Sequence, residues 1–166
     1  MKNILVLEDD IPGREALLRL RRHMSNCEFD FVFVETVTGL DELLCDLTSY
    51  TDYAAIILCL RIDMPLFTRA DIVRRIPALD QPNIPTMLCG HIPLYGLDYF
   101  LKVIVPDPAA QTSIQEGRII LISDHSKSQI DGLKPLYDKS RFPTVPFFDR
   151  ADKNATFDLW RYLCSL

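Results

Sequence analysis

The sequence has no uninterrupted apolar stretch approaching about 18 residues, which excludes a transmembrane helix by length alone. Its opening runs from Met1-Lys2-Asn3 straight into a short apolar segment and then acids, which is no signal peptide. Five cysteines, at 27, 45, 59, 89 and 164, are odd in number and form no CxxC pair. Reduced thiols in a cytoplasmic protein are therefore expected, not a disulfide framework or a zinc site. Six glycines in 166 residues are few for a phosphate-cradling loop, and neither GxxxxGKS/T nor GxGxxG occurs. HExxH and Cys/His ligand runs are missing as well. No internal repeat, low-complexity tract or linker divides the chain, so residues 1–166 read as one domain with a full core.

A single-signed basic surface is also lacking. The formal charge is −5, and residues 1–83 carry all of the imbalance, with nine basic and fourteen acidic side chains against nine of each in 84–166. The run Arg19-Leu20-Arg21-Arg22 reads as the solvated side of a helix, which makes a nucleic-acid partner unlikely.

What is present is a regular alternation of apolar runs and amphipathic segments. Residues 4–10, Ile-Leu-Val-Leu-Glu-Asp-Asp, are a short apolar run that ends in three carboxylates, the pattern of a parallel strand buried on both faces. Ile11 to Met24 carries Leu17, Leu18, Leu20 and Met24 on one stripe, with Pro12 in a first helical turn where its missing N–H does no harm. Further strands are expected at 29–37, 53–60, 84–88, 118–123 and 144–148, the last at a sheet edge because of Pro146. Helices are expected from Thr38 or Gly39 to Leu47, over 68–76, 126–137 and from Asn154 or Thr156 onward. Residues 97–105 fit helix or strand, and 106–117 read as a loop. The alternation predicts right-handed βαβ units on a parallel sheet. Open sheets of this kind bind ligands at the carboxyl ends of their strands. Glu8, Asp9 and Asp10 would therefore meet at one site edge, where three like charges need a cation or a basic side chain to offset them.

Three stretches resemble the receiver domains of response regulators: 4–10; Tyr53-Ala-Ala-Ile-Ile-Leu-Cys-Leu-Arg-Ile-Asp-Met-Pro65; and Pro146-Phe-Phe-Asp-Arg-Ala-Asp-Lys153. They stand in the family's order and span most of the chain. The resemblance implies a three-layer, doubly wound flavodoxin/CheY-like fold with strand order 2-1-3-4-5. Six strands are counted where the family has five, so the expectation is one extra strand and a βα unit inserted within about 90–142. It also implies that Glu8 and Asp9 are the metal-binding pair, with weak or vestigial Mg²⁺ affinity. The phosphoacceptor position falls on Cys59 counting from Tyr53, or on Arg61 counting back from Met64-Pro65, and neither can form an acyl phosphate. Asp63 is the nearest acid but lies past the strand end. The hydroxyl position is Cys89 or Ser123, according to which strand is the family's fourth, and the lysine position holds Arg150. The chain thus resembles a degenerate receiver, with Arg61 or Arg150 expected within ion-pair reach of the acids.

Two function classes follow. One is a receiver-like signalling module of the two-component type, not phosphorylated at the usual position, needing no cofactor and acting through a protein partner or self-association as a dimer. The other is a small α/β enzyme using Cys89/His91 or Ser123/His125. Residues i and i+2 on an extended chain lie roughly 7 Å apart, which is poor geometry for a nucleophile and its base. A receiver phosphorylated at Asp63 is a third idea. Trp160, Phe157 and Leu163 are expected in the core, and packing is favoured over exposed recognition for Tyr95, Tyr99 and Phe100.

Overall fold

The computed structural model describes residues 2–23, 28–47, 50–62, 73–80, 87–88, 92–124 and 144–166. Its centre is a five-stranded parallel sheet. β1 (Lys2–Leu7), β2 (Phe29–Val34), β3 (Ala55–Cys59), β6 (Ile119–Ser123) and β7 (Phe147–Asp149) lie in the order β2-β1-β3-β6-β7. Counting only sheet strands, this is the expected 2-1-3-4-5. β1, β3 and β6 are runs of Ile, Leu and Val that are buried wherever they cross the sheet centre, as strands covered on both faces must be.

The extra strand does not join this sheet. Met87–Leu88 (β4) pairs antiparallel with Ile92–Pro93 (β5) in a separate two-stranded sheet. The apolar run at 84–88 looked like a buried strand because periodicity cannot tell a central strand from a short hairpin arm. The fourth strand of the parallel sheet is therefore Ile119–Ser123, which pairs with β3 through Ile56↔Ile119 to Cys59↔Ile122. Everything from Leu60 to Arg118 is the connection between them.

α1 (Ile11–His23) starts under Asp10, whose Oδ2 accepts from the Gly13 N–H at 3.1 Å, an N-cap that supplies one orphan amide of the first turn. α2 (Val37–Glu42) is capped likewise by Thr36, whose hydroxyl accepts from Gly39 N at 3.0 Å, and continues into a π-helical turn, Leu43–Leu47. The ambiguous 97–105 segment is helical. α3 (Tyr95–Tyr99) runs on into a π turn, Phe100–Ile104. The expected loop at 106–117 holds a 3₁₀ turn, Pro108–Ala110, and α4 (Gln111–Gln115). The sequence shows only the Asp107-Pro108 start signal there, without an apolar stripe. The helix expected over 126–137 lies outside the described residues, as does most of that over 68–76. α5 (Ala155–Leu163) closes the chain.

α1 packs on α5, and α2 on α3. β1 to β2 steps one way along the sheet and every later crossover steps the other way, so right-handed connections put helices on both faces. Trp160 is fully buried and meets Phe29 edge-on with ring centroids 6.5 Å apart, and Tyr99 and Phe100 are buried too. Phe157 is not in the core: it is 54% exposed, because the buried stripe of α5 is Ala155, Leu159, Trp160 and Leu163. The cysteine expectation also needs correcting. Cys45 and Cys59 are free, but Cys164, just past α5, is disulfide-bonded to a residue outside those described. A pair far apart in sequence leaves no local spacing to read.

Candidate functional site

The direction of winding reverses between β1 and β3, and the crevice past their carboxyl ends is where such a sheet can hold a ligand. The chain places Glu8, Asp9 and Asp10 after β1, Cys59 and Arg61 at and beyond the end of β3, and Asp124 and Arg150 beyond β6 and β7. These seven residues line one pocket of about 230 Å³. Parallel register does the positioning: Leu7 lies beside Leu58, Cys59 beside Ile122, and Ser123 beside Asp149.

Glu8 is the most enclosed of the acids, with no exposed surface. Its carboxylate forms an ion pair with the Arg150 guanidinium, and its second oxygen accepts from the Asp10 N–H at 3.1 Å. The guanidinium also reaches Asp124 at 3.9 Å. Burial lowers the Arg150 pKa from its ordinary value, but from a starting point so high that the group stays charged. Arg150 is held from behind by its own N–H, which donates to the Ser123 carbonyl at 2.8 Å. Glu8 fits because residue 13 is glycine: a Cβ there would stand 2.7 Å from the Glu8 carboxylate oxygen. Arg14 ties down the same turn, its Nε donating to Glu8 O at 2.8 Å while Nη1 pairs with Glu35 at 2.7 Å.

Cys59 is the last residue of β3. Its thiol donates to the Arg61 carbonyl at 3.0 Å. Burial, with smaller contributions from Asp124, Asp9 and Asp10, pushes the thiol up to about 12, so it is neutral. Arg61 lies one residue past the turn and lines the same pocket. Behind β3, Gly96 opens α3 directly on the strand end, where a Cβ would sit 1.9 Å from the Cys59 carbonyl oxygen.

The residues present fit Mg²⁺ poorly. One Glu8 oxygen accepts from the Asp10 N–H and the other faces the Arg150 guanidinium, the position beside them is a protonated thiol, and Mg²⁺ asks for octahedral oxygen ligands. Among the described residues no group of three His, Cys, Asp or Glu could hold a metal ion. Ser123 is fully buried at the end of β6. Asp63, Cys89, His91 and His125 lie outside the described residues, so neither nucleophile–histidine pair is placed. Asp124 and Gly13 are the site residues that sequence reading missed. Asp124 was on view as the middle of Ser123-Asp-His125, but its role depends on β6 being a neighbour of β3.

No family model matches the chain, and no curated protein matches it. Solved structures do. The bacteriophytochrome response regulator AtBRR aligns over 99% of this chain and 93% of its own at 14% identity, with a TM-score of 0.58. The fold is receiver-like. The Mn²⁺-bound form of response regulator Rcp1 aligns over 99% of this chain and 91% of its own at 12% identity, with a TM-score of 0.49. At such identities the likeness concerns the fold, and the site has to be argued from its own residues.

Proposed function

We propose that this chain is a degenerate receiver: a regulatory module of two-component type that works by protein contact and is not phosphorylated at the strand end. The observation that carries this is the Arg150–Glu8 ion pair beside a neutral Cys59. A receiver-type switch needs a carboxylate nucleophile, a cation beside it and a group to hold the phosphoryl oxygens. Here the nucleophile position is a buried thiol, and the acid that would hold the cation is satisfied by arginine. The site then acts as a static brace across the ends of β1, β3, β6 and β7. Any residual Mg²⁺ binding at Glu8 and Asp9 is weak.

The enzyme reading has less support, because Ser123 has no exposed surface. A nucleic-acid partner is disfavoured by the pairing of the basic run, Arg19 with Glu15 at 2.8 Å and Arg21 with Asp30 at 2.6 Å. Among the described residues no helix is long and apolar enough to cross a membrane. The binding face we favour is α5, where Phe157 stands out under the Arg161 guanidinium 5.9 Å from its ring centre. Asp158 and Arg161 flank it with opposite charges, so two antiparallel copies would match in a two-fold dimer. Residues 95–105 contribute less to such a face, since Leu97, Tyr99, Phe100 and Ile104 are buried. The unit added to the family pattern we place within about 90–142. The disulfide at Cys164 argues against the cytoplasmic location expected from the sequence, because reducing compartments keep thiols reduced.

Incubation with acetyl phosphate and Mg²⁺, followed by intact mass and peptide mapping, tests the reading. No phosphoryl adduct is expected. An adduct on Asp63, or on any acid of the site, would show a working receiver and overturn it.

A further inference from the structure

On its α1–α5 side, Arg150 also borders a second hollow of about 260 Å³ that continues away from the acid pocket between the two helices. Leu17, Phe148 and Leu159 line it with apolar surface, and Ala16 and Thr156 are among its exposed edges. Ile11 and Phe157, 68% and 54% exposed, stand one residue from the lining positions Pro12 and Thr156. Two large apolar side chains left in water at the first turns of neighbouring helices flag a contact surface, where a lone exposed residue would not.

The charge at the inner end decides what the groove can take. Asp10 and Asp124 line it together with Arg150. The acid pocket behind it holds four carboxylates, Glu8, Asp9, Asp10 and Asp124, against two guanidiniums, Arg61 and Arg150, and Arg150 serves both Glu8 and, at 3.9 Å, Asp124. The surplus there is negative, so a phosphate or carboxylate would be repelled and an ammonium or guanidinium drawn in. The volume suits one or two side chains, below the roughly 300 Å³ at which ordinary small-molecule pockets begin.

We propose that the α1–α5 groove docks a protein segment that presents an apolar side chain next to a lysine or arginine. The apolar group fills the space over Leu17, Phe148 and Leu159, and the cation lies against Asp10 and Asp124. This rests on the protein-binding reading above and adds to it a location and a partner chemistry other than a second copy of this chain.

Panning the full chain against a displayed library of random heptapeptides reads that chemistry directly. Enriched peptides should carry an apolar residue beside Lys or Arg. A synthetic winner should lose at least about tenfold in affinity with Ala16→Trp, which fills the groove, and with Asp124→Lys, which reverses its charge, and should weaken with added salt. Both positions are exposed, and an unchanged thermal melt confirms that the variants fold. No enrichment, acidic winners, or binding indifferent to Ala16→Trp would overturn the inference. Sedimentation of wild type and Phe157→Asp separates the two claims. Self-association lost only in Phe157→Asp, with no peptide selected, sinks the groove and leaves the protein-binding reading standing; a strict monomer that selects no peptide sinks both.

Discussion

Replacing Arg150 by Met removes the positive partner of a carboxylate with no exposed surface while keeping much of the packing of the long side chain. Breaking a buried pair from one side costs about 3–5 kcal/mol, because the surviving charge is left without compensation. Here the lower end applies. The Arg150 side chain is 22% exposed, so water can reach part of the vacated space, and Glu8 keeps its hydrogen bond from the Asp10 N–H. About 3 kcal/mol in a chain of this size corresponds to a fall in Tm of roughly 6–12 °C. The sign of the pH dependence follows from the same picture. An unpaired buried carboxylate is driven toward its neutral form, so Arg150→Met should be least damaged at mildly acid pH and lose stability as pH rises. Thermal melts of wild type, Arg150→Met, Glu8→Gln and the double variant close a double-mutant cycle. We expect the double variant to be more stable than Arg150→Met alone. A coupling energy below about 0.5 kcal/mol, or a loss that does not vary with pH, would refute the brace.

Other outcomes follow from neighbouring contacts. Iodoacetamide at pH 8 should modify exposed Cys45 and spare Cys59 until the protein unfolds, because the buried thiol is pushed up to about 12; equal rates at the two would contradict this. Gly96→Ala should destabilise by about 2–3 kcal/mol or more, since its Cβ meets strand backbone that cannot move aside, and should raise the labelling rate of Cys59. A neutral Gly96→Ala would mean that α3 does not rest on β3. Peptide mapping without reductant should find Cys164 in a crosslink, and Cys164→Ser should lower stability by about 2–4 kcal/mol, an effect absent in reductant; a free Cys164 thiol in the oxidised protein would contradict this.

The sequence made the strands legible where burial is two-sided. Ile4–Leu7, Ala55–Cys59 and Ile119–Ile122 are continuous apolar runs because both faces of the sheet are covered there, and their order carried the sheet topology with it. It misled where the same residue types serve other ends. Ile84 to Leu88 has the composition of a central strand, yet Met87 and Leu88 pair in a hairpin. Phe157 shares helical spacing with Trp160, yet only Trp160 turns inward, since the stripe of α5 is set by what α1 and Phe29 present to it. In the site, the acids after β1 announced themselves by interrupting an apolar run. Arg150 was legible as a basic residue in the place of a lysine. That Arg150 takes Glu8, while Cys59 and not Arg61 ends the strand, depends on register across four strands, which no local pattern encodes.

These substitutions belong together physically. A carboxylate at the end of β3 would add another negative charge to the acids after β1 and would need a cation to hold it. Cys59 adds none at neutral pH, which leaves a single arginine to offset Glu8, the acid of this pocket with no exposed surface. Asp9, Asp10 and Asp124 sit nearer water, where charge is cheaply solvated. A guanidinium at position 150 is then the better occupant than an ammonium, because its planar fork spans from Glu8 toward Asp124 and so links β1 to the end of β6. The same bridge forms the wall between the acid pocket and the apolar groove. On the reading proposed above, the site is closed by its own side chain, and the face offered to a partner is the outer side of that wall, with Ile11 and Phe157 exposed at the starts of the two helices beside it.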